Sequence, residues 1–381
     1  MSRIDPATEP AGFASVALRH LLPPVFMAAA LAYTRPPAAA MGGDSTQHVD
    51  SQSQWPRLRT ALLALLALSI ARSINKALNK WATNNWRITA HPNWVWEKEI
   101  AVITGGAGDI GLAVVTGLLA RGVRVAILDV RDLPSSPPLP PLVVQSIKEK
   151  KLILYKCDVT CPSQIEEAAN SIRQTWGSDP SILINNAGIV RTCLILDKKE
   201  KDLRQIVGVN LMSHWFTTKV FLPAMVEKNK GQIVSMASLA SYVALPTSVD
   251  YSVTKAGVLA FHEGLTCEIK HIYKAPGVMT TIVLPDFVKT QMTRLYWEEV
   301  EAAGGALLSV KDVAEPILKQ IFSRRGGHII VPRSRAIVSL MRGFPNWFQE
   351  IVRDIIGKAN RDLQSRWARG DREKGRKRHG A

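Results

Sequence analysis

Four cysteines in 381 residues are too few for a disulfide framework. Cys157 and Cys161 stand four apart, Cys193 and Cys267 are isolated, and no second Cys/His pair completes a zinc site. No metal is therefore expected, and all four read as reduced thiols in a domain facing the cytosol. Acidic residues are scarce beside basic ones: 32 Asp and Glu against 48 Lys and Arg give a formal net charge of +16. Such a surplus favours acidic partners, either anionic lipid or phosphorylated ligands. Nucleic acid is not expected among them, because no recognisable nucleic-acid-binding module accompanies the charge. Also missing is an uninterrupted apolar run of the about 20 residues that a membrane-spanning helix needs. The apolar fraction, 46%, is that of a globular protein.

Four regions follow from composition. Residues 1–57 read as a flexible lead, apolar from Ala11 to Thr34 but interrupted by Arg19, His20 and Pro23-Pro24. Small residues near Ala40 admit a signal peptide as an alternative. Residues 58–97 hold the strongest apolar run, Thr60 to Ala71, twelve residues long with basic residues on both sides. Trp81, Trp86, Trp94 and Trp96 follow it, a density that suits a membrane interface. The segment reads as an anchor lying in the interface or forming a hairpin; the competing reading is a helix packed on the folded domain. Residues 98–332 alternate short apolar strands with amphipathic helices, as in a parallel sheet covered on both faces. The proline-rich stretch Leu133 to Pro141 interrupts that alternation as a surface loop. In the final region, 333–381, Ile337 to Ile356 interleaves apolar residues with Arg342 and Arg353, and Gly343 and Pro345 should split it into two pieces. The last stretch, Arg361 to Ala381, has eight basic against three acidic residues.

The chemistry concentrates in GQIVSMASLASYVALPTSVDYSVTKAG, Gly231 to Gly257. Tyr251 and Lys255 are spaced i, i+4 and share a helix face. An ammonium beside a phenol favours the phenolate, so the Tyr251 pKa should fall and suit it to acid–base work. Ser238 arrives from a strand end, thirteen residues before Tyr251. Far upstream, TGGAGDIG (Thr104 to Gly111) closes the first strand and opens a helix, where a pyrophosphate can meet backbone N–H groups.

This array resembles the active site of the short-chain dehydrogenases/reductases, over about Lys98 to Pro332. The resemblance implies a Rossmann-type doubly wound parallel sheet, a single α/β domain carrying the N-terminal anchor helix and the basic amphipathic tail. It implies Tyr251 as proton donor or acceptor, Lys255 as its partner and holder of the nicotinamide ribose, and Ser238 as the group orienting the substrate oxygen. Asn210 matches the asparagine that holds a relay water. The cofactor-binding set implied is Gly105, Asp109, Ile110, Gly111, Asp129, Asp158, Asn186, Ala187, Gly188, Tyr251, Lys255, Val288 and Thr290. Asp129 ends the second strand, where a carboxylate accepts from ribose hydroxyls and repels a 2′-phosphate; this favours NAD over NADP, with Arg131 nearby opposing it.

Two positions depart from the pattern. Asp109 stands where the middle glycine is expected, and should turn outward to cap its helix. Asp286 stands where glycine usually follows Pro285. With the apolar anchor and the tail LMRGFPNWFQEIVRDIIG, this is similar to the membrane-associated retinol dehydrogenases and lipid-droplet 17β-hydroxysteroid dehydrogenases. That implies a lipophilic alcohol or carbonyl substrate (retinoid, steroid or long-chain alcohol), a membrane surface at the endoplasmic reticulum or a lipid droplet, and a homodimer. Gln291 to Gly305 reads either as a mobile lid, with Met292, Leu295, Tyr296 and Trp297 as its apolar wall, or as an amphipathic helix packed on its own domain. Two readings compete: a catalytically silent membrane-surface scaffold, and a sugar-nucleotide epimerase. The retained Ser238, Tyr251, Lys255 and Asn210 argue against the first. The short, basic region after the last strand argues against the second.

Overall fold

The computed structural model describes residues 54–90, 92–136, 138–302 and 306–358. The lead before residue 54, the site near Ala40, Gly304, Gly305 and the basic stretch from Arg361 lie outside the described residues, as do the side chains of Leu295 and Tyr296. The described residues form two compact units, divided after Ala90.

In the first unit a single helix, α1, runs from Gln54 to Ala82. The expected apolar run of twelve residues is therefore too short a description. Ile70, Ile74 and Leu78 continue an i, i+4 stripe beyond Ala71, and Ser73 turns its hydroxyl back onto the Ser69 carbonyl at 2.8 Å. The helix passes Arg72, Lys76 and Lys80 without a break because long basic side chains are good helix formers. Its segment Arg59–Ala82 has 24 residues, and an 18-residue window within it reaches mean hydropathy 1.5, long and apolar enough to cross a membrane by length and composition. Asn85 and Trp86, at φ 52° and 57°, turn the chain out of the helix.

The second unit is built on seven parallel strands. In chain order they are β1 (Ile100–Thr104), β2 (Arg124–Asp129), β3 (Leu152–Lys156), β4 (Ile182–Asn185), β5 (Gly231–Met236), β6 (Val278–Pro285) and β7 (Gly327–Val331). Their order across the sheet is β3-β2-β1-β4-β5-β6-β7. Strands buried on both faces need apolar residues at every position, which is why IAVIT, VRVAILD and VMTTIVLP read as continuous runs. Successive residues then serve opposite layers. Ala101 and Ile103 pack into one core with α2 (Asp109–Leu119), whereas Ile100 and Val102 pack into the other with α4 (Pro162–Trp176).

Between α2 and α4 lies one helix that the proline-rich stretch conceals. The loop ends at Pro140, and α3 runs Pro141–Lys148 with Pro141 in its first turn. A missing N–H costs nothing there, and the fixed φ suits the helix start. After β4 come α5 (Glu200–Val207) and α6 (Ser213–Glu227), joined by the π-helical turn Gly208–Met212. Helix α7 (Val249–Cys267) carries the Tyr-x-x-x-Lys pair. A short 3-10 turn, Gln291–Tyr296, leads into α8 (Trp297–Ala302), and α9 (Val310–Phe322) precedes β7. After β7 the chain forms a 3-10 helix, Arg333–Gly343, and a separate helix over 346–358, broken at Gly343 and Pro345 as expected.

Candidate active site

In a doubly wound sheet the crevice opens where strand order reverses, here between the C-terminal ends of β1 and β4. Two loops meet at that point. Thr104 Oγ1 accepts the N–H groups of both Asn186 and Ala187 at 3.0 Å. Asn186 Nδ2 donates to the carbonyls of Thr104 and Gly105 at 3.1 Å each. Gly105 sits at φ +64°, and a Cβ there would come within 2.9 Å of Ala187 Cα. A Cβ on Gly111 would lie 2.4 Å from the Gly105 carbonyl oxygen. The turn is therefore closed tightly enough that only glycine fits both positions.

The reacting groups approach from the β5 side. Ser238 leaves β5 in extended backbone, accepts the Ala240 N–H at 3.2 Å, and contacts the Pro285 carbonyl at 3.4 Å. Tyr251 and Lys255 lie one turn apart on α7, the ammonium 5.7 Å from the Tyr251 ring centroid. Lys255 Nζ donates to the Met236 carbonyl at 2.7 Å, and the Lys255 carbonyl accepts from Ser241 Oγ at 2.7 Å. Asn210 sits in the π-helical turn, which widens the helix and aims the side chain at the loop after β4. Its Oδ1 accepts the Ile189 N–H and its Nδ2 donates to the Ile189 carbonyl, both at 2.8 Å, with Thr254 Oγ1 at 3.3 Å. One lone pair of Oδ1 remains for a further donor. A Cβ placed on Gly188 would be 3.7 Å from both Asn210 Oδ1 and Lys255 Nζ, so the two groups face one spot.

The electrostatics differ from the expectation for Tyr251. Its pKa is raised, not lowered: desolvation pushes it up and outweighs the opposing Ser238 hydrogen bond, although the ring keeps some exposure to the cavity. The ammonium that was to lower it is turned onto Met236. Lys255 is 4% exposed, and burial brings it from 10.5 down to about 8. Folding thus favours neutral lysine. The stability this group contributes is present above 10.5 and is lost as pH falls through about 8. Lys255→Met removes that dependence. The parent-minus-variant difference in unfolding free energy should rise by on the order of 2 kcal/mol between about pH 7 and about pH 10. Urea titrations of both proteins across that range check it; a flat difference would remove the burial argument.

One cavity of about 720 Å³ joins these parts. Gly105, Asp109, Ile110 and Gly111 line its β1 end, Asn186, Ala187 and Gly188 its floor, and Ser238, Tyr251 and Lys255 the opposite wall, with Val288 and Thr290 beside them. Asp129, Asp158 and Asn210 do not line it. Asp129 is 5% exposed, and its carboxylate accepts from the N–H groups of Ala107 (3.1 Å) and Arg131 (3.0 Å) and from Arg131 Nε at 3.3 Å. The group on the cavity wall is Arg131, whose side chain is 60% exposed. Asp158 closes its own turn, with Oδ1 accepting from Thr160 N–H and Oγ1 at 2.9 and 2.8 Å.

Asp109 does not cap its own helix; Gly108 takes the N-cap position. Its Oδ2 accepts the Gln291 N–H at 2.8 Å, across the cavity mouth. Asp286 meets Arg335 Nε at 3.3 Å and so ties the C-terminal segment to the end of β6. Met292 and Val300 line the cavity from the 291–302 segment, whereas Trp297 turns aside to donate to Thr293 Oγ1 at 3.1 Å. Val338, Met341, Val352 and Ile356 line it from the C-terminal segment, which thus serves as a wall. The sequence reads that segment as a helix in the membrane interface, with closure over the substrate site as its alternative; what sequence reasoning missed is the Met236 carbonyl and an ion pair of 2.8 Å between Lys198 and Asp250 beside Tyr251. A backbone acceptor leaves no trace in a sequence; Asp250, adjacent to the tyrosine in the helix's first turn, was the available signal for the pair.

These features are those of a dinucleotide-dependent oxidoreductase fold, and comparison with known proteins places it. The family model for the short chain dehydrogenases matches residues 99–301, more than half of the chain. The protein belongs to that family. Dehydrogenase RED2 of Cochliobolus heterostrophus is 38% identical over 221 residues, covering 58% of this chain and 78% of the relative. Estradiol 17-beta-dehydrogenase 11 of Rattus norvegicus is 30% identical over 203 residues, 53% of this chain and 66% of the relative. Short-chain dehydrogenase/reductase family 16C member 6 of Bos taurus is 31% identical over 194 residues, 51% and 60% respectively. Among solved structures, that of gox2181 superposes with a TM-score of 0.52 at 23% identity, covering 62% of this chain and 97% of that one; it supports the fold.

Proposed function

We propose that this protein transfers a hydride between a nicotinamide dinucleotide and a lipophilic alcohol or carbonyl compound of the retinoid, steroid or long-chain alcohol class. The observation that carries the reading is the single cavity in which the glycine turn, the Ser238–Tyr251–Lys255 wall and the apolar C-terminal segment face one another. The nicotinamide, when bound, supplies the hydride acceptor or donor. Tyr251 takes the hydroxyl proton on oxidation and returns one to the carbonyl on reduction. Its raised pKa keeps the hydroxyl protonated near neutral pH, the form that reduction uses, and makes it a base only at the cost of forming a buried phenolate. Ser238 orients the reacting oxygen. Lys255 holds the nicotinamide ribose and charges the site when protonated, and Asn210 offers its remaining lone pair to a relay water beside that ammonium. Thr290 and Val288 hold the nicotinamide itself. A family of dehydrogenases and an intact array leave the silent scaffold without support.

NAD is the cofactor favoured by Asp129, and Arg131 is the opposing influence. The carboxylate is spent on Arg131 and the glycine turn, so the preference for NAD should be narrow. Arg131→Ala should raise the NAD:NADP ratio of kcat/KM by about tenfold, and Asp129→Ala should lower it by a similar factor, since each charge contributes about 1.4 kcal/mol. Ratios unchanged in both variants would place selection elsewhere. In the cell we expect the enzyme at an endoplasmic reticulum or lipid-droplet membrane, held by α1 with its catalytic unit in the cytosol, and assembled as a homodimer. The names of the 17β-dehydrogenase relatives support the steroid-like end of the substrate range. The direct test is a membrane fraction assayed with lipophilic alcohols and ketones and both cofactors. No turnover above that of a Tyr251→Phe control with any of them would sink the reading.

A further inference from the structure

Asp109 holds a carboxylate where the glycine turn is otherwise built to receive phosphate oxygens. An uncompensated charge there weakens dinucleotide binding, so its presence calls for a function. Its Oδ2 has one partner across the cavity, the backbone N–H of Gln291 at 2.8 Å. Gln291 is the first residue of the 3-10 turn that opens the segment 291–302, and that segment walls the cavity through Met292 and Val300. Its own start is already ordered: Thr290 and Thr293 form a reciprocal cap, which leaves the Gln291 N–H to an outside acceptor. Asp109 supplies it from a residue 182 positions away in the chain.

We propose that Asp109 is a positioning residue that fastens the substrate lid to the cofactor side of the crevice, at a cost in dinucleotide affinity. Two properties of one side chain then separate. The acceptor oxygen holds Gln291 in place, and the negative charge opposes the pyrophosphate. Asparagine keeps the first and removes the second; alanine removes both. The second limb rests on the nicotinamide reading above, whereas the first does not.

The test uses the full-length protein in detergent micelles, with trypsin and NADH as probes. Arg294 is an exposed cleavage site within the lid. Cleavage after Arg294, followed by mass spectrometry, should be on the order of fivefold faster in Asp109→Ala and unchanged in Asp109→Asn. NADH should bind about threefold or more tightly to both variants than to the parent. An ordinary structural residue would give the opposite pattern, with weaker NADH binding in both. Equal cleavage in parent and Asp109→Ala, or equally fast cleavage in both variants, overturns the tether. NADH binding that is weakened or unchanged overturns the charge cost. A parent that binds neither NADH nor NADPH overturns the cofactor reading itself, and the cleavage rates still decide the tether.

Discussion

Tyr251→Phe should lower kcat by about 10³-fold while leaving the dissociation constant of NADH within about twofold. The substitution removes one oxygen and keeps the ring, so the 5.7 Å approach of the Lys255 ammonium to the ring centroid survives. On the proposed mechanism the lost atom is the one that exchanges a proton with substrate. Its raised pKa gives a second expectation. Oxidation needs the phenolate and should rise with pH, whereas reduction needs the phenol and should hold at neutral pH and fall only above the ordinary tyrosine range. A parent enzyme whose oxidation rate is flat with pH, or a phenylalanine variant with near-parent turnover, would remove Tyr251 from the proton step.

How far the sequence carried can be seen at particular residues. Strands buried on both faces write themselves as continuous apolar runs, so the order of elements was legible. The interval from Ser238 to Tyr251 and the i, i+4 step to Lys255 fix positions on a strand end and one helix face, and these three do meet in one cavity. What was not legible depends on where a polar side chain finds its partner. Asp109, Asp129 and Asp286 are each an aspartate beside the crevice. One accepts from a distant backbone N–H, one from its neighbour Arg131, and one from an arginine of the C-terminal segment. Nothing local distinguishes them. The Tyr251 shift was missed for a related reason. Spacing brings Lys255 near, but the Met236 carbonyl takes its donor, and desolvation then decides the sign. The length of α1 was underestimated because charged residues were read as an end, when only Asn85 and Trp86 turn the chain.

Deleting residues 344–381 should separate a wall from an anchor. No residue of the helix over 346–358 is buried, so its loss exposes no core and the sheet should keep its stability. The cavity, however, loses Val352, Ile355 and Ile356. Apolar walls contribute about 25 cal/mol for each Å² of substrate they cover, so three such side chains make a difference on the order of 10²-fold in KM for a long-chain or steroidal substrate. A short alcohol such as propan-2-ol reaches only the Ser238–Tyr251 end and should lose less than about threefold. The same segment exposes Trp347 at 66% and Ile351 at 49%, so it also offers apolar area to a membrane. If attachment were its whole role, the deletion would weaken vesicle binding, with α1 still in place, yet leave KM in detergent unchanged for every substrate. Arg335, which meets Asp286, and Arg342, which donates to the Ser241 carbonyl at 2.9 Å, both precede the cut. They keep the remaining 3-10 helix docked, so a rise in KM confined to bulky substrates reports the missing wall alone. An equal loss for propan-2-ol would mean that the deletion had disturbed Tyr251 itself, and the wall would not be the cause.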